Sequence, residues 1–212
     1  MQPEAREDHR VLADGIAALG LGLAPAQITR LDAFLDLLEK WNRVYNLTAI
    51  RDRRQMVTHH LLDSLAIVPH VAGPAVLDVG SGGGLPGIPL AIARPELAVT
   101  LLDSNHKKAA FLNQAVAELR LDNVRVAAAR IEEWSTTQRF ETIVSRAFSD
   151  LGEFVTLAVP RLAPGGRFAA MKGVHPFDEI ERLPAAYAVT EVVRLHVPGL
   201  DAERHLVLIE RA

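Results

Sequence analysis

The sequence contains no cysteine in its 212 residues. Disulfides, a thiolate nucleophile and Cys-ligated zinc or iron–sulfur clusters are therefore excluded. No apolar run approaches the roughly 20 residues of a membrane-spanning helix. Residues 1–8 also lack the basic and apolar regions of a secretory signal. We therefore expect a soluble cytoplasmic protein that does not associate with membranes.

Excess positive charge is absent too, since 23 Lys and Arg face 26 Asp and Glu for a net charge of −3. Such a chain does not bind any nucleic acid non-specifically through counterion release, so contact with RNA would need a local basic patch. Each candidate cluster is explained at least as well by an ordinary solvated face. The clusters are Arg51, Arg53 and Arg54 with His59 and His60; Lys107 and Lys108; and Arg161, Arg167 and Lys172.

Hydrophobic periodicity divides the chain near residue 72. Apolar residues recur at steps of three and four over residues 25–47, and similar patterns cover residues 11–19 and 55–68, where Pro69 ends the last one. We predict an N-terminal helical extension over residues 1–72 and a second unit over residues 73–212.

The second unit alternates short, β-branched runs with helical stretches, a pattern that predicts an α/β fold with a mostly parallel sheet. Pro198 and Gly199 separate the last two runs and predict an antiparallel hairpin. The seven predicted strands are residues 75–79, 97–102, 124–128, 142–144, 167–171, 188–197 and 205–209.

A glycine-rich loop over residues 80–87 follows the first predicted strand. A phosphate-binding P-loop needs Lys and Ser or Thr after its last glycine, but Ile88 and Pro89 stand there. The dinucleotide fingerprint does occur at Gly82, Gly84 and Gly87, with Asp103 at a suitable distance for ribose hydroxyls. The glycines alone therefore leave open a dinucleotide, another ligand of such loops, and a tight strand-to-helix turn without any ligand.

Asp78, directly before the glycines, favours S-adenosylmethionine as the cofactor. Its carboxylate would repel a pyrophosphate, whereas S-adenosylmethionine has no phosphate and carries cationic ammonium and sulfonium groups. Asp103 would then bind the two ribose hydroxyls. The alternative for Asp103 is an N-cap of the helix predicted over residues 105–119, a role that Ser104 could fill equally well.

The segment from Asp78 to Leu90, with its Leu85-Pro86-Gly87-Ile88-Pro89 tail, resembles the signature loop of the RsmG (GidB) small-subunit rRNA methyltransferases. The segments 41–48, 60–65 and 145–148 extend this resemblance over most of the chain. It implies a class I, Rossmann-like S-adenosylmethionine methyltransferase that modifies N7 of one guanine in 16S rRNA, as free RNA or within the small subunit. Gly83 is a departure, because some family members have proline there.

By motif match, the resemblance implies that Gly80 and Leu85 contact the cofactor and that Arg146 sits beside the reacting centre. Ile131 and Glu132 would lie on the adenine side. The complete set of predicted cofactor-binding residues is Asp78, Gly80, Gly82, Leu85, Asp103, Ile131, Glu132 and Arg146.

The residues agree with N7 chemistry. Guanine N7 carries a lone pair and no proton, so it needs alignment rather than a general base. Covalent C5 methylation generally requires the missing cysteine. The segment Ser145-Arg146-Ala147-Phe148 stands where exocyclic-amine methyltransferases commonly carry an Asn/Asp-Pro-Pro-aromatic motif.

Individual side chains keep alternatives open. Arg146 could position the cofactor carboxylate or guanine O6, or form a structural ion pair with Asp150. Phe148 could stack on a flipped base or belong to the core. Lys172 and His175 are candidates for substrate contact at the end of the fifth strand, although the pattern favours solvated loop residues. We expect no metal site, because the adjacent His59 and His60 point in different directions on a helix.

Three other functions fit the sequence less well. The chain could methylate a small molecule, with its helical N-terminus as a lid, or it could be a non-catalytic module that binds cofactor or RNA during ribosome assembly. Dehydrogenase activity fits the sequence least well of the three. We expect a monomer.

Overall fold

A computed structural model describes residues 3–146, 148 and 150–212, with side chains described from residue 7. Its centre is a seven-stranded sheet in the order β3-β2-β1-β4-β5-β7-β6. Strands β1 to β5 run parallel, and β7 is antiparallel to both β5 and β6. The strands are β1 Ala75–Val79, β2 Ala98–Asp103, β3 Val124–Ala128, β4 Phe140–Ser145, β5 Leu162–Lys172, β6 Tyr187–Arg194 and β7 His205–Arg211.

Helices precede the sheet and connect its strands. The α-helices are α1 Pro3–Ala18, α2 Pro25–Tyr45, α3 Arg53–Met56, α4 Asp63–Leu65, α5 Gly87–Ala93, α6 His106–Leu119, α7 Leu151–Ala158 and α8 Phe177–Glu181. A π-helical segment, Val57–Leu62, joins α3 to α4, and single 3₁₀ turns occupy Val68–His70 and Val159–Arg161. The predicted α/β class, the mostly parallel sheet and the C-terminal hairpin are confirmed.

All seven predicted strands are present, but β5 begins five residues earlier than expected. Leu162 pairs with Phe140 and Arg167 with Thr142, so β5 advances five residues while β4 advances two. The extra residues include Pro164, Gly165 and Gly166, which read as a turn in the sequence. The structure accommodates them as a bulge within a paired strand.

The predicted helix over residues 55–68 is shorter and irregular. It begins at Arg53, where the Asp52 side chain accepts a hydrogen bond from the Gln55 N–H. Its middle is the π-helical segment, whose wider turn has no signature in the hydrophobic pattern.

The two faces of the sheet bury separate hydrophobic clusters, because successive side chains of a strand point in opposite directions. In β1, Val76 faces the cluster that contains α1, α2, α5 and α6, whereas Leu77 and Val79 face the cluster that contains α7. This alternation places the Asp78 side chain on the α5 side of the sheet.

The N-terminal helices share the core of the sheet unit. In α2, the Phe34 and Trp41 rings lie 6.4 and 5.6 Å from the ring of Phe111 in α6. Leu38 of α2 approaches the position that a Cβ on Gly83 would occupy, at 3.1 Å. The division of the chain at residue 72 stays a prediction, since these contacts make a continuous core.

Within the described residues, none of the helices combines the length and the apolar character that crossing a membrane requires.

Replacing Phe111 by Ala should lower the free energy of unfolding by about 3–5 kcal/mol, since its ring is fully buried between α2 and α6. Urea unfolding followed by circular dichroism measures this change. Val44→Ala in α2 is the control, because Val44 is 69% exposed and should change stability by no more than about 0.5 kcal/mol. Equal effects of the two substitutions would contradict the packing of α2 on α6.

Candidate active site

Two cavities of about 350 Å³ each open where the parallel strands end. Ligands of open α/β sheets bind at this edge. The first cavity lies over the ends of β1 and β2 and is lined by Val79, Gly80, Leu102, Asp103, Ser104, Lys108, residues 129–132, Phe148, Glu153 and Leu157. The second lies over the ends of β4 and β5 and is lined by Ile50, His59, His60, Asp63, Arg146, residues 171–173, Leu195, Arg204 and His205.

The glycine loop is held against the end of β2 by its own backbone. The N–H groups of Gly80 and Ser81 both donate to the Leu102 carbonyl, at 2.8 and 3.1 Å. Gly80 and Gly84 have φ values of 73° and 81°, which glycine adopts without strain. A Cβ on Gly84 would also lie 2.5 Å from Ile88 Cδ1. The tight loop therefore depends on glycine at these positions.

Asp103 closes the loop from the other side. One carboxylate oxygen accepts a hydrogen bond from the Gly82 N–H and the other from the Asn105 N–H, both at 2.8 Å. The N-cap of α6 is Asn105, whose side chain accepts from the N–H groups of Lys107 and Lys108. Neither Asp103 nor Ser104 caps the helix. Asp103 thus lines the first cavity with acceptor capacity left on each oxygen.

Asp78 lies beneath the loop and lines neither cavity. Its side chain is completely buried, Oδ2 accepts from the Gly87 N–H at 2.9 Å, and Oδ1 has no hydrogen-bond partner among the described residues. Burial raises the pKa of the Asp78 carboxyl to about 7, and the hydrogen bond from Gly87 offsets only part of this effect. Asp78 and the start of α5 are packed so closely that a Cβ on Gly87 would lie 2.7 Å from Oδ2.

The second cavity is rich in positive charge. Arg146, Lys172 and Arg204 line it, and Asp63 is the carboxylate among its lining residues. Arg146 pairs with Asp63 at 3.2 Å, so the ion pair proposed with Asp150 is wrong. Asp150 pairs instead with Arg182 and caps α7.

His60 cannot serve as an effective base at neutral pH. Burial and the positive charge of Arg146 lower the pKa of His60 to about 4, so its imidazole is neutral under physiological conditions. Its Nε2 lies 2.8 Å from the Thr48 hydroxyl, which fixes the ring in the wall of the second cavity.

The structure divides the predicted site residues among three places. Gly80, Asp103, Ile131 and Glu132 come together in the first cavity, and Arg146 lies in the second. The others belong to the loop beneath or beside the first cavity without lining it: Asp78, Gly82 and Leu85.

The two cavities also have lining residues outside the predicted cofactor-binding set. Phe148 lines the first cavity, and its ring centre lies 5.2 Å from that of Phe154, so its side chain packs against the core. Lys172 lines the second cavity, as its place at the end of β5 suggested. The sequence did not predict that Asp63 or Arg204 would line this cavity. Only Asp63 lies in a segment, residues 60–65, that resembles the family.

In the part of the chain that the structure describes, no group of three His, Asp or Glu side chains is arranged to hold a metal ion.

The sheet order, the glycine loop after β1 and the acidic residue ending β2 define a class I S-adenosylmethionine-dependent methyltransferase fold. A solved O-methyltransferase, TomG from Streptomyces achromogenes in complex with S-adenosylmethionine, shares this fold. It superimposes with a TM-score of 0.60 at 16% identity, covering 97% of this chain and 99% of that one.

The sequence pattern of the family "rRNA small subunit methyltransferase G" (GidB) matches residues 27–207. Ribosomal RNA small subunit methyltransferase G of Aromatoleum aromaticum is 58% identical over 205 residues, covering 94% of this chain and 97% of that protein. The protein of the same name from Chromobacterium violaceum is 57% identical, covering 92% and 94%. The chain belongs to this family, and the resemblance inferred from its glycine loop is confirmed.

Asp78 should make the stability of the protein fall as pH rises. The carboxyl ionises near pH 4 in the unfolded chain and near pH 7 in the folded one. Its contribution is therefore complete below about pH 4 and is lost as pH rises through 7. We expect Asp78→Asn to flatten the decline in unfolding free energy between pH 4 and 7 by an amount on the order of a few kcal/mol.

Urea unfolding at a series of pH values measures this slope. Asp201→Asn, an exposed substitution in the loop before β7, is the control and should keep the wild-type slope. A wild-type slope in Asp78→Asn would show that the buried carboxyl does not hold a proton.

Proposed function

We propose that this chain transfers a methyl group from S-adenosylmethionine to N7 of one guanine in 16S rRNA. The main support is that an acidic cavity of nucleoside size adjoins a cavity rich in Arg and Lys, in a chain of this family. We also propose that the enzyme acts as a monomer in the cytoplasm, where small ribosomal subunits are its substrate.

The first cavity fits S-adenosylmethionine. Both oxygens of Asp103 can accept a further hydrogen bond, as the two ribose hydroxyls would require. Leu102, Ile131 and Leu157 provide apolar walls for a purine ring. When bound, S-adenosylmethionine supplies an electrophilic methyl group on a positively charged sulfur.

The charge of the first cavity argues against a dinucleotide. Its lining contains three carboxylates, on Asp103, Glu132 and Glu153, and two cations, on Lys108 and Arg130. Two phosphate charges would be repelled at this site, whereas a sulfonium cation would not.

The second cavity fits a guanine that leaves the RNA stack. The Arg146 guanidinium can donate to guanine O6, whereas the charge of Lys172 is already paired with Glu179 at 2.7 Å. N7 has no proton to remove, so the reaction needs no general base, and the low pKa of His60 makes that side chain a weak one. We propose that the protein accelerates transfer mainly by alignment.

A labelled methyl group should pass from S-adenosylmethionine to small subunits, or to protein-free 16S rRNA, prepared without native modification. Mapping should find a single N7-methylguanine. Asp103→Asn removes a charged acceptor and should weaken cofactor binding about 10- to 100-fold. Asp122→Asn, exposed in the turn before β3, should leave binding and transfer unchanged. Cofactor binding by the wild type without transfer to either RNA would contradict the proposal.

Arg146→Gln should lower kcat/KM for RNA about 100-fold, the discrimination expected of one lost guanidinium contact with a base. The dissociation constant for S-adenosylmethionine should change less than about threefold, measured by equilibrium dialysis. Arg125→Gln, exposed on β3, is the control. A parallel loss of cofactor affinity would instead assign Arg146 to the cofactor carboxylate.

A further inference from the structure

We infer that Asp63 is a positioning residue that holds the guanidinium groups of Arg146 and Arg204 in the wall of the second cavity. The inference rests on the proposed function and specifies how the base side of the site is prepared. Asp63, Arg146 and Arg204 are called the arginine bridge below.

The arginine bridge joins three distant parts of the chain. Asp63 Oδ2 accepts from Arg146 Nη1 at 3.2 Å, and Oδ1 accepts from Arg204 Nε at 2.9 Å. Only 2% of the Asp63 side chain is exposed. Since each oxygen serves a different guanidinium, a fixed carboxylate restricts the orientation of both.

The π-helical segment gives Arg146 a second acceptor. In an α-helix the Asp63 N–H would bond to the His59 carbonyl, four residues earlier. Here it bonds to the Thr58 and His60 carbonyls instead. The His59 carbonyl accepts from Arg146 Nη1 at 3.2 Å. The irregular turn and the buried carboxylate therefore act on the same nitrogen, and π turns are frequent at functional sites.

Both guanidiniums keep donors for a ligand. Arg204 uses Nε for Asp63 and Nη1 for the Glu203 carbonyl. Among the described residues, no hydrogen bond engages Nη2 of either arginine. The two side chains are 29% and 24% exposed and line the cavity. A guanidinium whose other nitrogens are fixed offers its free edge to a base oxygen or a phosphate with little loss of entropy.

Asp63 also sets the charge of the cavity. Methylation at N7 leaves a positive charge on the guanine, which the nearby guanidiniums would oppose. The buried carboxylate offsets one of those charges. Removing it should make the cavity more attractive to RNA phosphates and less favourable to the reaction.

Asp63→Asn keeps the shape of the side chain and removes its charge. In methyl transfer to small subunits, we expect kcat to fall about 10- to 100-fold, the loss that misalignment near a reacting centre produces. KM for the subunits should stay equal or decrease, and cofactor affinity should change less than about threefold. A raised KM with an unchanged kcat, or no change in either, would overturn the inference. Glu96→Gln is the control, because it breaks the exposed Arg94–Glu96 ion pair.

A double-mutant cycle separates positioning from a general structural effect. Because Asp63 also holds Arg146, Asp63→Asn should still lower kcat in a protein that already carries Arg204→Gln, but by a smaller factor than in the wild type. Fully multiplicative losses would overturn the inference. Should Asp63→Asn fail to fold, Arg146→Gln and Arg204→Gln form the alternative cycle, with less than multiplicative losses again expected.

A readout without catalysis tests the arginine bridge directly. In ¹⁵N-labelled protein, the Arg204 Nε–H resonance, identified by its loss in Arg204→Gln, should shift in Asp63→Asn and not in Glu96→Gln. An unchanged resonance would overturn the bridge even if the enzyme is active. Absence of methyl transfer by the wild type would instead contradict the proposed function, and the resonance would still decide the bridge.

Discussion

The hydrogen bonds between the glycine loop and the end of β2 position the rest of the site. β1 and β2 are paired in parallel with Val79 opposite Leu102, so both strands end at the same level. The loop can then bind the Leu102 carbonyl through Gly80 and Ser81, and Asp103 through Gly82. Because Asp103 is oriented by this contact, the position of the carboxylate that we propose binds ribose follows from the strand register.

Most of the fold could be predicted because it depends on local patterns. β-Branched runs separated by helical stretches identify all seven strands, and Pro198 with Gly199 marks the hairpin. The start of β5 could not be predicted, since Pro164 and Gly165 signal a turn whether they end a strand or form a bulge within it. The N-cap at Asn105 was missed for a similar reason, because Asp103, Ser104 and Asn105 are all good capping residues and only the geometry selects one.

The site was predictable where it depends on one strand and its loop, and unpredictable where it depends on distant contacts. Gly80 and Asp103 follow from the motif. The role of Asp78 is harder to predict from the motif. Strand alternation places its side chain with Val76 on the α5 side, where it stabilises the start of that helix and does not face a cavity. The Asp63 contacts with Arg146 and Arg204 span 83 and 141 residues, and no pattern in the sequence links positions so far apart.

The loop after β4 couples the two cavities. Arg146 lines the second cavity and Phe148 the first, two positions further along the chain. The Ser145 hydroxyl donates to the Val79 carbonyl at 2.8 Å, and Lys172 Nζ donates to the Phe148 carbonyl at 3.1 Å. These bonds attach the loop to β1 beside the first cavity and to β5 beside the second. A displacement of Lys172 would therefore move Phe148 as well, so one short segment links the walls of the two cavities.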